Sequence, residues 1–192
     1  MNAPSLRLVG PSTGRSAPVF HGWVRTVYRA KAWYYRRKYP RLQLGRDVQI
    51  RGRLRLRLGV CVVIGDRCRV NRSVRFTGTG MVVIGHDSLL NGCWIGSWDL
   101  VEVGPRCLLA NCEISDADFH NVAPERRHDP AGPDTHRPVH VGENVWIGSR
   151  ALVLKGARIG DDSVVGAGSV VRGTIPARVV AVGNPVTIAR QL

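Results

Sequence analysis

The chain is short of acid where it is richest in base. Of residues 1–58, fourteen are Lys or Arg and one, Asp47, is acidic, so this stretch carries +13 of the +14 net charge. That asymmetry excludes an evenly charged surface and puts the basic, partner-seeking part at the N-terminal end. Aromatics are only 6% of residues and Met numbers 2, which excludes a core built on large rings. The five cysteines, Cys61, Cys68, Cys93, Cys107 and Cys112, are odd in number and form no CxxC pair. They supply neither zinc-finger spacing nor an even disulfide framework, so reduced, buried thiols in a reducing cytosol are expected. There is no run of about 18 apolar residues that would cross a membrane. The start lacks the apolar core of a secretory signal.

What is abundant is glycine, 22 residues, against a hydrophobic content of 44%. The two are arranged with a period of six. Val141, Ile147, Val153, Ile159, Val165 and Val171 are evenly spaced, and glycine follows four of them, at Gly142, Gly148, Gly160 and Gly166. Small residues recur four positions after the aliphatic one, at Ala151, Ala157, Ser163 and Ser169. A helix has period 3.6 and a strand period 2, and neither yields a strict six. The period predicts an all-β solenoid in which each hexad is one short strand and one corner and three hexads make a turn. The aliphatic residue points into a narrow prism and the small residue fits beside it.

Upstream the rhythm loosens. Leu44-Gly45, Ile64-Gly65, Ile84-Gly85 and Val103-Gly104 recur at 20, 20 and 19 residues rather than 18, which predicts extra residues at a corner of the first turns. Arg51, Arg53, Arg55 and Arg57 alternate with Gly52, Leu54, Leu56 and Leu58, a strand pattern with arginines outward. Residues 1–18, rich in Pro, Ser and Gly, read as a flexible tail. Residues 19–40 read as a basic amphipathic helix with Val19, Trp23, Val27, Ala30 and Tyr34 on one face and Pro40 as its stop. Such a helix suits either a membrane interface or the end of the coil. No nucleic-acid motif accompanies its charge. The coil domain occupies 41–192, interrupted at 115–138 by a stretch with four Pro, three His and no hexad, and ends in a short extension, IPARVVAVGNPVTIARQL. Excursions from a regular scaffold are where function tends to sit.

The hexads, the segment NVWIGS (Asn144–Ser149), VGAGSV and the late GNP together resemble the hexapeptide-repeat O-acetyltransferases, the galactoside/maltose type and those of polysaccharide biosynthesis. The resemblance covers about residues 44–192. It implies a left-handed parallel β-helix, although general crossover rules favour the right hand. It also implies a homotrimer with sites between neighbouring coils, acetyl-CoA as co-substrate, no metal and a cytoplasmic protein, at the inner face of the membrane if the helix binds there. The acceptor would be a sugar, polysaccharide or glycolipid hydroxyl attacked in a ternary complex. An amino-sugar or antibiotic amine, or a non-catalytic scaffold, are the alternatives.

Residue by residue, His120 stands where the family carries its catalytic base, a role that suits an imidazole titrating near neutrality. Asp116 and Asp118 precede it and are expected to orient the ring; His128 is the runner-up. Asn91 and Asp99 match, with a one-residue shift, a pair that contacts the acceptor sugar, and Trp94 and Trp98 beside them could stack on a ring. Trp146 corresponds to the residue lining the acyl tunnel, and Ser149 to a backbone N–H facing the thioester carbonyl. Ala167 corresponds to a backbone contact to CoA, while Arg172 and Arg190 lie near positions that meet its phosphates. Gly173 and Thr187 stand where relatives often carry Lys and Arg, which leaves Arg178 as a substitute phosphate contact.

Overall fold

Short parallel strands stack into three sheets that form the faces of a prism. The computed structural model describes residues 22–192; the tail at 1–18 and residues 19–21 of the expected helix lie outside them. Sheet A contains β1 (Leu42–Leu44), β4 (Cys61–Ile64), β7 (Met81–Ile84), β10 (Leu100–Val103), β13 (Val139–Val141), β16 (Arg158–Ile159) and β19 (Thr174–Ile175). Sheet B contains β2 (Gln49–Ile50), β5 (Arg69–Asn71), β8 (Leu89–Asn91), β11 (Leu108–Ala110), β14 (Trp146–Ile147), β17 (Val164–Val165), β20 (Val179–Val182) and β21 (Thr187–Gln191). Sheet C contains β3 (Arg53–Arg57), β6 (Ser73–Gly78), β9 (Trp94–Ser97), β12 (Glu113–Ser115), β15 (Leu152–Val153) and β18 (Val170–Val171). The chain visits A, B and C in turn, and each strand pairs with its counterpart one turn later.

The hexad aliphatics fill the prism. Val141, Ile147, Val153, Ile159, Val165 and Val171 are all buried, as are the small residues Ala151, Ala157, Ser163 and Ser169. Each fully buried Val, Ile or Leu contributes about 1.5–3 kcal/mol of transfer free energy. In the first turns the extra residues lengthen strands rather than a corner, which corrects the sequence expectation. There β4, β7 and β10 have four residues and β6 six, against two in β14 to β18. Alternate strand residues face opposite ways, so each added pair turns one more side chain inward. Val62 with Ile64 and Val82 with Ile84 do this, and the wider core accommodates Phe76, fully buried.

The corner from sheet A to sheet B carries one residue at positive φ per turn: Asp47, Arg67, Asp87, Arg106, Asn144, Asp162 and Arg178. That backbone is disfavoured for side chains with a Cβ. Bonds between stacked corners offset the cost. The Arg46 backbone N–H and guanidinium reach Asp66 at 2.8 Å each, Arg67 meets Asp87 at 2.6 Å, Arg106 pairs with Glu143, and Asn144 Nδ2 donates to Asp162 at 2.7 Å. The Arg46 N–H above all, with its guanidinium, holds the Asp66 carboxyl below its usual range, and the hydrogen bond from Arg67 does the same for Asp87. Four of the five cysteines are buried, at the slots the hexads reserve for small side chains, and all five are free. Burial pushes the Cys68 thiol up to about 12 and Cys107 up to about 11.

The solenoid is capped by a helix at its start and by a returning strand on one sheet at its end, which blunts the open edges there. At the start, helix α1 (Gly22–Lys38) lies on the first turn. Tyr35 Oη accepts the Leu54 N–H at 3.2 Å, Arg36 Nη2 donates to Leu44 O at 2.6 Å, and Lys31 Nζ donates to Arg51 O at 3.2 Å. The buried face of α1 is therefore the one with Ala32 and Tyr35, and Trp23, Val27, Ala30 and Tyr34 face solvent. The apolar stripe is thus the outer face of a helix that also packs on the end of the coil. At the other end β21 folds back antiparallel on β20 and closes sheet B.

Candidate active site

The excursion leaves β12 on sheet C and returns at β13 on sheet A. Its foot is a short antiparallel contact: Ala117 bridges His136, Asp118 N–H donates to Thr135 O at 2.7 Å, and Arg137 N–H donates to Asp116 O at 2.7 Å. Farther out, Asn121 Nδ2 donates to the carbonyls of Arg126, Asp129 and Pro130 and gathers the tip around itself.

The Asp116 side chain is wholly buried. It accepts from Ser97 Oγ at 2.9 Å, from the Trp98 N–H at 2.8 Å and from the Asp99 N–H at 2.9 Å. A buried carboxylate is tolerated only when its lone pairs are used, and here three donors use them. Asp118 pairs with Lys155 at 2.6 Å, and Lys155 also reaches Asp134 O at 3.3 Å. Both aspartates therefore hold the loop rather than orient His120, which corrects the expectation. His120 is exposed, and among the described residues nothing hydrogen-bonds its ring. His140 contacts Glu102 at 3.1 Å on sheet A, and His128 is exposed on the loop.

Phe119, beside His120, was not singled out from the sequence. It is 57% exposed and packs against Trp98 at 5.3 Å and Trp94 at 6.1 Å between ring centroids. A Cβ at Gly96 would come within 2.6 Å of the Trp94 ring and 3.0 Å of the Trp98 ring, so glycine is what lets both indoles lie over this strand. An aromatic next to a histidine within a polar excursion was the available signal.

The remaining candidates lie on two different edges of the prism. Asp99 and Arg172 stand with the loop at the corner between sheets C and A. Asn91, Ser149 and Ala167 stand at the corner between B and C, where Asn111 Nδ2 donates to Ser149 Oγ at 3.3 Å. Asn91 and Asp99, paired in the sequence reading, thus flank opposite ends of β9. Trp146 projects from sheet B, 50% exposed, in register with Leu108 and Val164, and Arg190 pairs with Val180 at the end of the same sheet. Leu108 is another exposed apolar residue that the sequence reading passed over. Within one protomer His120 does not meet Trp146, Ser149 or Ala167.

Residues 138–173 match the model of the bacterial transferase hexapeptide, six repeats. This stretch therefore carries the repeats of the bacterial transferase hexapeptide. The chain's coil is the left-handed parallel β-helix of hexapeptide repeats. Over 138 residues it is 33% identical to a galactoside O-acetyltransferase of Lactococcus lactis, across 67% of this chain and 62% of that relative. It therefore spans less than two thirds of the length of the curated relatives it matches. Among solved structures, the polysialic acid O-acetyltransferase OatWY superposes with TM-score 0.66 at 21% identity, over 78% of this chain and 74% of that one. A galactoside acetyltransferase in complex with coenzyme A superposes with TM-score 0.55 at 23% identity, over 88% of this chain and 80% of that one. At these identities the two superpositions speak for the fold.

Proposed function

We propose that the protein is an acetyl-CoA-dependent O-acetyltransferase acting on a hydroxyl of a sugar or of a polysaccharide or glycolipid precursor. The observation that carries this is the similarity to a galactoside O-acetyltransferase across two thirds of the chain, joined to an exposed histidine on the one long excursion from the coil. Coenzyme A in the related acetyltransferase structure supports the choice of co-substrate.

In this reading the His120 imidazole takes the proton of the acceptor hydroxyl as its oxygen attacks the thioester carbonyl. The backbone N–H at Ser149 donates to the oxygen that becomes negative. On collapse the C–S bond breaks, the sulfur leaves with the proton held by His120, and the acetyl ester remains on the acceptor. Both substrates are bound together, so no enzyme ester forms. Asn91 and Asp99 contact the acceptor and Trp146 lines the acyl path. The Ala167 backbone and the Arg172 and Arg190 side chains hold CoA.

Because His120 and Ser149 stand on different edges, the site is completed by a neighbour. A homotrimer would set the loop edge of one coil against the Trp146 face of the next. Helix α1 presents Trp23, Val27 and Tyr34 outward beside Arg37 and Lys38, which suits the anionic cytoplasmic leaflet. We place the protein in the cytoplasm, at that surface.

His120→Ala is expected to lower acetyl-CoA-dependent turnover about 10²–10⁴-fold, read as CoA release. Ser149→Ala, which keeps the backbone donor, is expected to stay within a few fold of the native rate. Unchanged turnover in His120→Ala would sink the mechanism.

A further inference from the structure

Sheet C is chemically unlike the rest of the coil. Along the corner between A and B the arginines are neutralised by stacked carboxylates, as in Arg46–Asp66, Arg67–Asp87 and Arg106–Glu143. On sheet C, Arg53, Arg55 and Arg57 of β3 and Arg75 of β6 are all exposed, and among the described residues none has an acidic partner. Register makes this costlier. Arg55 lies directly beside Arg75, and like charges side by side on neighbouring strands repel. With strands about 4.8 Å apart, the arginines of β3 and β6 are close neighbours, and among the described residues no carboxylate pairs with them.

These arginines lead to the loop. Arg75 is in register with Trp94, and Trp94 Nε1 donates to Thr77 Oγ1 at 3.3 Å, in the row of Arg57. Past Trp94 come Trp98, Phe119 and then His120. Glu113, in register with Trp94 on the far side from Arg75, is the acid on this face of the ladder. The face therefore runs from a field of arginines, across three aromatic rings, to the candidate base.

We propose that sheet C is the binding platform for an acidic glycan chain, whose anionic sugars pair with Arg53, Arg55, Arg57 and Arg75 while the sugar being modified sits against Trp94, Trp98 and Phe119. The choice of a glycan rests on the acetyl-transfer reading above; the anionic character rests on the unpaired arginines alone. Guanidinium forks match carboxylates in bidentate geometry. Their spread over two strands fits an anion repeated along a chain better than a single charged group, which would engage only one or two of them. Aromatic faces take the apolar side of a sugar ring.

The test uses the full chain without acetyl-CoA, titrated with an oligouronate and with a neutral glucan of the same length. The oligouronate should bind and the glucan should not, and added salt should weaken the complex. The double substitution Arg55→Gln/Arg75→Gln should cost about tenfold or more in affinity. Arg55→Lys/Arg75→Lys, which keeps the charge but not the fork, should fall between. A charge-matched control away from this sheet, Arg29→Gln/Arg158→Gln, should bind as the native chain does, and thermal unfolding checks that every variant is folded. Equal binding of the two glycans, or native affinity in Arg55→Gln/Arg75→Gln, would overturn the proposal. So would displacement of the oligouronate by lower concentrations of single-stranded DNA, which would make this a nucleic-acid surface. Oligouronate binding without CoA release would sink the reaction and leave the platform standing. CoA release with no preference for acidic acceptors would do the reverse.

Discussion

The Asp116 carboxylate anchors the foot of the loop. It ties the entry of the excursion to the corner after β9 through Ser97, Trp98 and Asp99, while the Asp116 backbone carbonyl takes the Arg137 N–H at the exit. Asp116→Ala leaves the Trp98 and Asp99 N–H groups without their acceptor, while Ser97 Oγ keeps Met81 O at 2.9 Å, at about 1–3 kcal/mol for each N–H that water does not reach. We expect a loss of about 2–4 kcal/mol in urea unfolding, with Asp116→Asn closer to native because one acceptor oxygen remains. Native stability in Asp116→Ala would refute the role. Its place was legible in part. An aspartate at the start of an excursion is visible in sequence, but that it faces the preceding corner rather than His120 depends on the turn stacked beneath it.

At the scale of the element, helix α1 shows that a periodic stripe defines a face without saying what that face meets. Trp23, Val27, Ala30 and Tyr34 do share a face, but Tyr35 and Ala32 make the contact with the coil. The deciding feature is the first turn's unpaired backbone groups, which accept from Arg36 and Lys31 and donate to Tyr35 Oη. A helix that must satisfy those groups turns its polar-tipped side inward and leaves the large apolar stripe out. Trp23 is 71% exposed. Trp23→Ser/Tyr34→Ser should therefore reduce co-sedimentation with vesicles containing anionic lipid about tenfold, because two interfacial anchors are removed, while leaving the melting temperature within a few degrees. Equal sedimentation of native and variant proteins would remove the membrane role from α1.

For the whole molecule, the solenoid gives three faces with three characters. Sheet B is apolar outward along Leu89, Leu108, Trp146 and Val164, sheet C is basic then aromatic, and sheet A is mixed, with Glu102, His140 and Arg158 side by side. An apolar face in register with Trp146 suits burial against a neighbouring coil. In the proposed trimer, Leu108→Arg places an unpaired charge in that contact and is expected to give monomer in analytical ultracentrifugation where the native chain gives trimer, with turnover falling in parallel. A trimer that persists with full activity would remove sheet B from the interface.

The hexads from Val141 to Val171 determined the solenoid without help from tertiary contacts, since a six-residue period admits one kind of packing and its aliphatic and small positions are all buried. The basic N-terminal stretch, the excursion and its histidines were equally plain, because each is a local departure in composition. What only the tertiary structure decided is which residues share a face. Strand register sets Arg55 beside Arg75 and Arg75 beside Trp94, and residues about twenty apart in sequence become neighbours only once the number of residues per turn is known. The same stacking separates Asn91 from Asp99 and His120 from Trp146, because a prism has corners and a sequence does not.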